Sequence, residues 1–254
     1  MLKMLYTDIR NIFYNRGIKL VGLASVVYII GTLLVSELIL KLYDASMSAD
    51  QIITTYPSIA IFIITSMTLL AFISEYTDGI IKNKLCSGAK RWHIFISAEM
   101  SSVLMTFFMT AIIQILTLVL AFACTDGFSN MTPAEVAFSF SETLVASVGI
   151  AVFSTSLIMM MGGKNASYVV GLGIAFAFKI VGMEVADKLY PEKGLCQLTG
   201  LKLKLYNFYD RFVPYAHCDG HPRWDMASCV IGSVVLIMIS VVLGLIVFEK
   251  KEIK

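Results

Sequence analysis

Three histidines and five cysteines are the first residues in this 254-residue chain whose types could do chemistry. His93, His217 and His221 all fall in polar stretches, and Cys218 stands beside His217. A closed zinc site needs four ligands. Beyond His217, Cys218 and His221 the further close ligands are not obvious, so an ordinary polar loop is the simpler reading and no metal is expected. The chain has no GxxxxGK[ST] phosphate loop, no HExxH and no GxSxG. It is therefore not expected to be an enzyme or to bind a nucleotide by that loop. Gln114 and Lys179 remain, each inside a long apolar run. An intramembrane lysine costs about 3 kcal/mol on insertion scales, so either side chain would line a polar translocation path or have a local use. For Gln114 the local use is a hydrogen bond between helices. For Lys179 it is reaching toward the nearer membrane surface.

The elements that must position these groups are apolar blocks. Hydrophobic residues make up 57% of the chain and charged residues 15%, and mean hydropathy is +0.79. A soluble fold of this length would expose far too much apolar surface. The runs are about 17–25 residues long, enough to cross roughly 30 Å of hydrocarbon as helix. They do not alternate as barrel strands would. Six spans are expected, near 20–40, 56–73, within 94–124, 143–161, 166–183 and 226–248. The first turns of the third should stand in water with Glu99. The first run is read as a retained span, because it lacks a small-residue cleavage site. Ahead of it, Leu5, Ile9, Ile12 and Phe13 recur at helical spacing among Lys3, Thr7, Arg10, Asn11 and Asn15. That pattern predicts an interfacial amphipathic helix over 1–18. Ser147 and Ala151, Gly171 and Ala175, and Ser228 and Gly232 are spaced by four, as helices that pack closely in lipid require.

Basic residues give the expected orientation. Lys3, Arg10, Arg16, Lys19, Lys82, Lys84, Lys90, Arg91, Lys164, Lys250, Lys251 and Lys254 all fall on one side of a six-span arrangement. By the positive-inside rule that side, with both termini, is cytoplasmic. The segment 184–225 then becomes a long outer insertion. It holds Cys196 and Cys218, for which an oxidising exterior predicts a disulfide. A net charge of +2 is too small to suggest nucleic acid. The whole chain, 1–254, is expected to be one transmembrane domain.

The segment 75–93, EYTDGIIKNKLCSGAKRWH, is the most informative. Ile80, Ile81 and Leu85 form a short apolar face, Lys82, Lys84, Lys90 and Arg91 surround it, and Gly79 and Gly88 allow turns. A short amphipathic helix between two spans is a docking element. A solvated positive loop would explain the charge but not the apolar face.

At this segment the chain resembles type-2 ABC-transporter permeases, the membrane subunits of bacterial exporters whose ATPase is a separate chain. Glu75, Gly79, Ile80, Leu85, Gly88 and Arg91 match the family's loop between spans 2 and 3. The interfacial helix, the six spans and the long insertion between spans 5 and 6 match its architecture. Glu99 departs from the pattern, which often has a basic residue there. The resemblance implies an all-α integral membrane protein of the bacterial plasma membrane, working as a homo- or heterodimer. Its coupling helix, about residues 78–88, would sit in a groove of a cytoplasmic ABC ATPase. Glu75, Gly79, Ile80, Ile81, Leu85, Gly88 and Arg91 would carry that coupling. No cofactor is expected in this chain; the partner would bind ATP and magnesium. Export of an antimicrobial peptide or another amphiphile is the implied activity. A non-transporting sensor or accessory protein, an ion-coupled carrier and an intramembrane enzyme are the alternatives.

Overall fold

A computed structural model describes residues 2–42, 48–125, 127–129, 131–191, 196, 198–218, 223 and 225–251. Among them there is no strand, and the regular elements are ten α-helices and one 3-10 turn. In chain order they are α1 (Leu2–Tyr14), α2 (Arg16–Leu42), α3 (Ala49–Ile53), α4 (Thr55–Thr77), α5 (Ile80–Cys86), α6 (Arg91–Cys124), α7 (Pro133–Met161), α8 (Asn165–Leu189), α9 (Gly200–Phe212) and α10 (Met226–Lys250). The 3-10 turn is Ala216–Cys218.

Six of these units are long and apolar enough to cross a membrane: α2, α3 with α4, α6, α7, α8 and α10. The chain is therefore a multi-pass membrane protein, and every expected span lies inside one of them. An even number of crossings puts α1, α5 and the end of α10 at one end of the bundle, here the terminal end. The described residues Ser48, Thr125, 127–129, 131–132, 190–191, 196, 198–218, 223 and 225 lie at the opposite end.

The spans are not equivalent. In α4 and α7, 61% of the apolar window is buried, against 22–33% in the others. These two form the core, with α2 and α8 packed on α4 and α6 and α10 on α7. The outer helices leave large apolar side chains uncovered, among them Leu38, Phe107, Val169 and Met238. In water these would be a liability; in a bilayer they are the lipid-facing surface. Inside, the small residues do what their spacing predicts. Ser147, Ala151 and Ala175 are fully buried, and a side chain on Gly171 would collide with Leu69. A Cβ on Gly232 would fall 1.9 Å from the Phe212 carbonyl oxygen, so α10 meets the end of α9 by backbone contact.

Two boundaries differ from the sequence reading. The polar stretch 125–142 is not all loop, because α7 begins at Pro133. Thr132 caps it: the Glu135 N–H donates to the Thr132 hydroxyl, and the Glu135 carboxylate takes the Thr132 N–H. This capping box, with proline at the first position, starts the helix ten residues before the expected span at 143. Glu99 also differs from expectation. It is not in water but 5% exposed, and one carboxylate oxygen takes the Ser156 hydroxyl at 2.7 Å. The α6, α7 and α10 helices close over it, with Gly244 of α10 set tightly against Phe95 and Ser156.

Candidate functional site

The terminal end brings the 75–93 segment together with elements that sequence reading kept apart. After α4, Asp78 and Gly79 turn the chain, and Gly79 takes φ +71. α5 then runs for seven residues, and Gly88 at φ +84 turns the chain again before α6. Both angles lie in the left-handed region, where a side chain is strained, so glycine is the fitting residue on each side of α5.

The apolar face of α5 is turned inward. Ile81 is 1% exposed and Leu85 packs against the core beside it. The residues that α5 turns outward are Lys82, Asn83, Cys86 and Ser87. Ile80 is half-buried and lines a cavity with Glu75.

Lys84 fastens this helix from below. Its Nζ lies 2.6 Å from Asp8 of α1 and 3.0 Å from Glu75 at the end of α4. Both acids are buried, Asp8 completely. Ser97 of α6 donates its hydroxyl to the other Asp8 oxygen at 2.6 Å. Four elements therefore meet at one ammonium. Burial draws the Lys84 pKa down, but the Glu75 and Asp8 carboxylates outweigh it and hold the pKa above the usual lysine value. Asp8 and Lys84 were missed as site residues, yet each left a trace. Asp8 stands three after Leu5 and four before Ile12, an acid on the apolar face of its helix. Lys84 likewise stands three after Ile81.

Arg91 is also engaged. Its Nη1 donates to the carbonyls of Phe248 at 3.1 Å, Glu249 at 3.3 Å and Lys251, so it closes the end of α10. Lys251 in turn donates to the Met160 carbonyl at the end of α7. Each cation meets carbonyls at a helix terminus, where the intrahelical ladder of backbone bonds runs out.

The two proposed path residues are not brought together. Gln114 is buried on α6 and donates to the Phe140 carbonyl of α7 at 3.1 Å, a contact between helices. Lys179 is half-buried on α8, whose main packing partner is α4.

The opposite end has its own charged cluster. Glu142 of α7 is 2% exposed and accepts the backbone N–H groups of Arg223 at 3.3 Å and Asp225 at 3.1 Å. His217 Nδ1 faces it at 3.8 Å, while Nε2 donates to the Arg211 carbonyl at 2.9 Å. Burial lowers the His217 pKa, but the contacts with Cys229, Glu142 and the Arg211 carbonyl win, pushing it up to about 10. Arg223 pairs with Asp210 at 2.6 Å, and Tyr190 donates to the other Asp210 oxygen at 2.9 Å. His217 thus joins the 3-10 turn to α7 and to the end of α9. Among the described residues no group of three potential ligands could hold a metal. His93 lies against Trp92, and His221 lies outside the described residues. No disulfide joins Cys196, which is exposed, to Cys218, which is buried. Cys218 is turned into the bundle.

No family model, no curated protein and no solved structure matches this chain.

Proposed function

We propose that this protein is the permease subunit of an ATP-driven exporter of peptides or other amphiphiles, with the terminal end in the cytoplasm. ATP is hydrolysed on a separate ABC ATPase chain, and a second permease subunit completes the path. The observation that supports this reading is α5: a seven-residue helix between two left-handed glycines, seated on α4, α1 and α6 through Ile81 and Lys84. A solvated loop needs no such seat. A helix that transmits force from a partner needs one, because an unseated helix would absorb the motion itself. In this reading Ile81, Leu85, Lys84 and Glu75 are positioning residues, and Lys82, Asn83 and Cys86 are the contact face. The excess of basic residues at the terminal end supports the orientation.

The test is co-purification from native membranes. A nucleotide-hydrolysing chain is expected with the wild-type protein, and the exposed Cys86 thiol should cross-link to it. Lys82→Glu is expected to cut recovery of that chain several-fold without lowering insertion. If no ATPase accompanies the wild-type protein, the reading fails.

A second reading, an ion-coupled carrier, is favoured by Glu99, a buried carboxylate on a span whose second oxygen has no partner among the described residues. In that case Glu99→Gln abolishes transport and no ATPase is needed.

A further inference from the structure

At the terminal end a cavity of about 390 Å3 lies in the elbow between α1 and α2, against the end of α4. Its lining carries both signs of charge, Glu75 and Asp78 from the end of α4 and Arg16 from the start of α2, with the polar Asn11 and Ser74. Glu75 is 2% exposed; one oxygen holds Lys84, and the other, Oε1, has no hydrogen-bond partner among the described residues. The adjoining cluster has two carboxylates, Asp8 and Glu75, sharing one ammonium. A buried carboxylate oxygen without a partner, beside a polar cavity, can accept from a further donor there, best a cationic one.

The depth of the cavity narrows the choice. Arg16 is the first residue of α2, a helix of 27 residues and thus about 40 Å long, close to the bilayer thickness with headgroups included. The cavity therefore sits at headgroup level. Its inner wall includes Ile12, and Ile12 also borders a second cavity of about 390 Å3 with an apolar lining. That groove runs between α2 and α6 past Ile18, Gly22, Val26, Met105 and Met109. A polar cavity of mixed charge and an apolar groove at one residue fit an amphiphile better than a soluble ion.

We propose that the α1–α2 elbow is a binding site for an aminophospholipid of the leaflet at the terminal end. The primary ammonium of the headgroup donates to Glu75 Oε1, with Asp78 beside it. The phosphate faces Arg16, and an acyl chain lies in the groove between α2 and α6. A primary ammonium suits the site because it has N–H groups for a carboxylate, which a choline lacks. An anionic headgroup without the amine would leave Glu75 unmatched. The site does not depend on what the protein transports.

The test offers the detergent-solubilised full chain an equimolar mixture of phosphatidylethanolamine, phosphatidylcholine and phosphatidylglycerol, and reads bound lipid by native mass spectrometry. Phosphatidylethanolamine adducts are expected to lead by about tenfold, as one charge-assisted contact would give. Glu75→Gln should remove the preference. Because that variant also weakens the seat of α5, Arg16→Gln and Asp78→Asn, both at exposed positions, are measured beside it. Asp78→Asn should reduce the preference several-fold, and Arg16→Gln should lower uptake of all three lipids while keeping their order, each leaving the thermal midpoint in place. Equal adducts of the three lipids in the wild-type protein, or a preference unchanged in both Glu75→Gln and Asp78→Asn, would overturn the proposal. So would binding of phosphoethanolamine alone with no uptake of the lipid, which would make this a soluble-amine site.

Discussion

Each end of the bundle buries a charged cluster, and the two are built on opposite plans. At the terminal end a cation is the hub: Lys84 holds Asp8 and Glu75, which come from different helices. At the opposite end an anion is the hub: Glu142 collects two backbone N–H groups and faces His217. Backbone donors cannot be deprotonated or swung away, so the Glu142 cluster is a fixed joint. The Lys84 cluster depends on one long flexible side chain reaching two acids. It stands beneath a helix bounded by two glycine turns.

The sharpest way to break that comparison is to remove Lys84. Lys84→Ala leaves two buried carboxylates without their cation and is expected to destabilise the protein by about 3–5 kcal/mol. The loss should show in the thermal midpoint in detergent and in proteolysis near residues 78–90. If the loss is a matter of charge, adding Asp8→Asn and Glu75→Gln to the same chain should recover most of it. Glu142→Gln is expected to cost less, about 1–3 kcal/mol, because one amide oxygen still accepts from a backbone N–H. An equal loss in the two variants would mean that the ends do not differ as argued.

The next effect is pH dependence. The folded-state pKa of His217 is raised to about 10, above the unfolded value of about 6.5. Its contribution is fully present below about pH 6.5 and is lost as pH rises through about 10. Thermal midpoints taken from pH 6 to 10 should therefore fall, and His217→Gln should flatten the curve over that range. The smallest effect is expected at the exposed Lys188–Glu184 pair on α8. Both groups are open to solvent, and Lys188→Ala should leave the midpoint unchanged within error.

The spans were legible in the sequence because hydropathy over 20 residues is a strong and local signal. The glycines around α5 were legible for the same reason, since turn chemistry is local. The direction of the apolar face of α5 was not. Ile81 and Leu85 look the same in sequence whether they meet a partner or the protein's own core. Asp8 and Lys84 were each readable as charged residues on an apolar face, but their pairing spans 76 positions, and nothing local joins them. The early start of α7 could have been read from Thr132-Pro133-Ala134-Glu135, the capping signature within a stretch that otherwise looks like loop. His217 read as part of an ordinary polar loop because its partner, Glu142, lies far away in the chain.

Arg91 and Lys251 have a mechanical consequence. Arg91 ties the start of α6 to the end of α10, and Lys251 ties the end of α10 to the end of α7. Three spans are thus stapled at their tips into a single stator. α5 leaves that stator at Gly88 and α4 at Gly79, and Lys84 is the catch that keeps it parked. Lys84 couples α5 to α1 and α4, and these are themselves fastened to the stapled helices, α1 through Ser97 of α6 and α4 through the Tyr76 hydroxyl on the Met159 carbonyl of α7, so a displacement of α5 would load the whole terminal end at once.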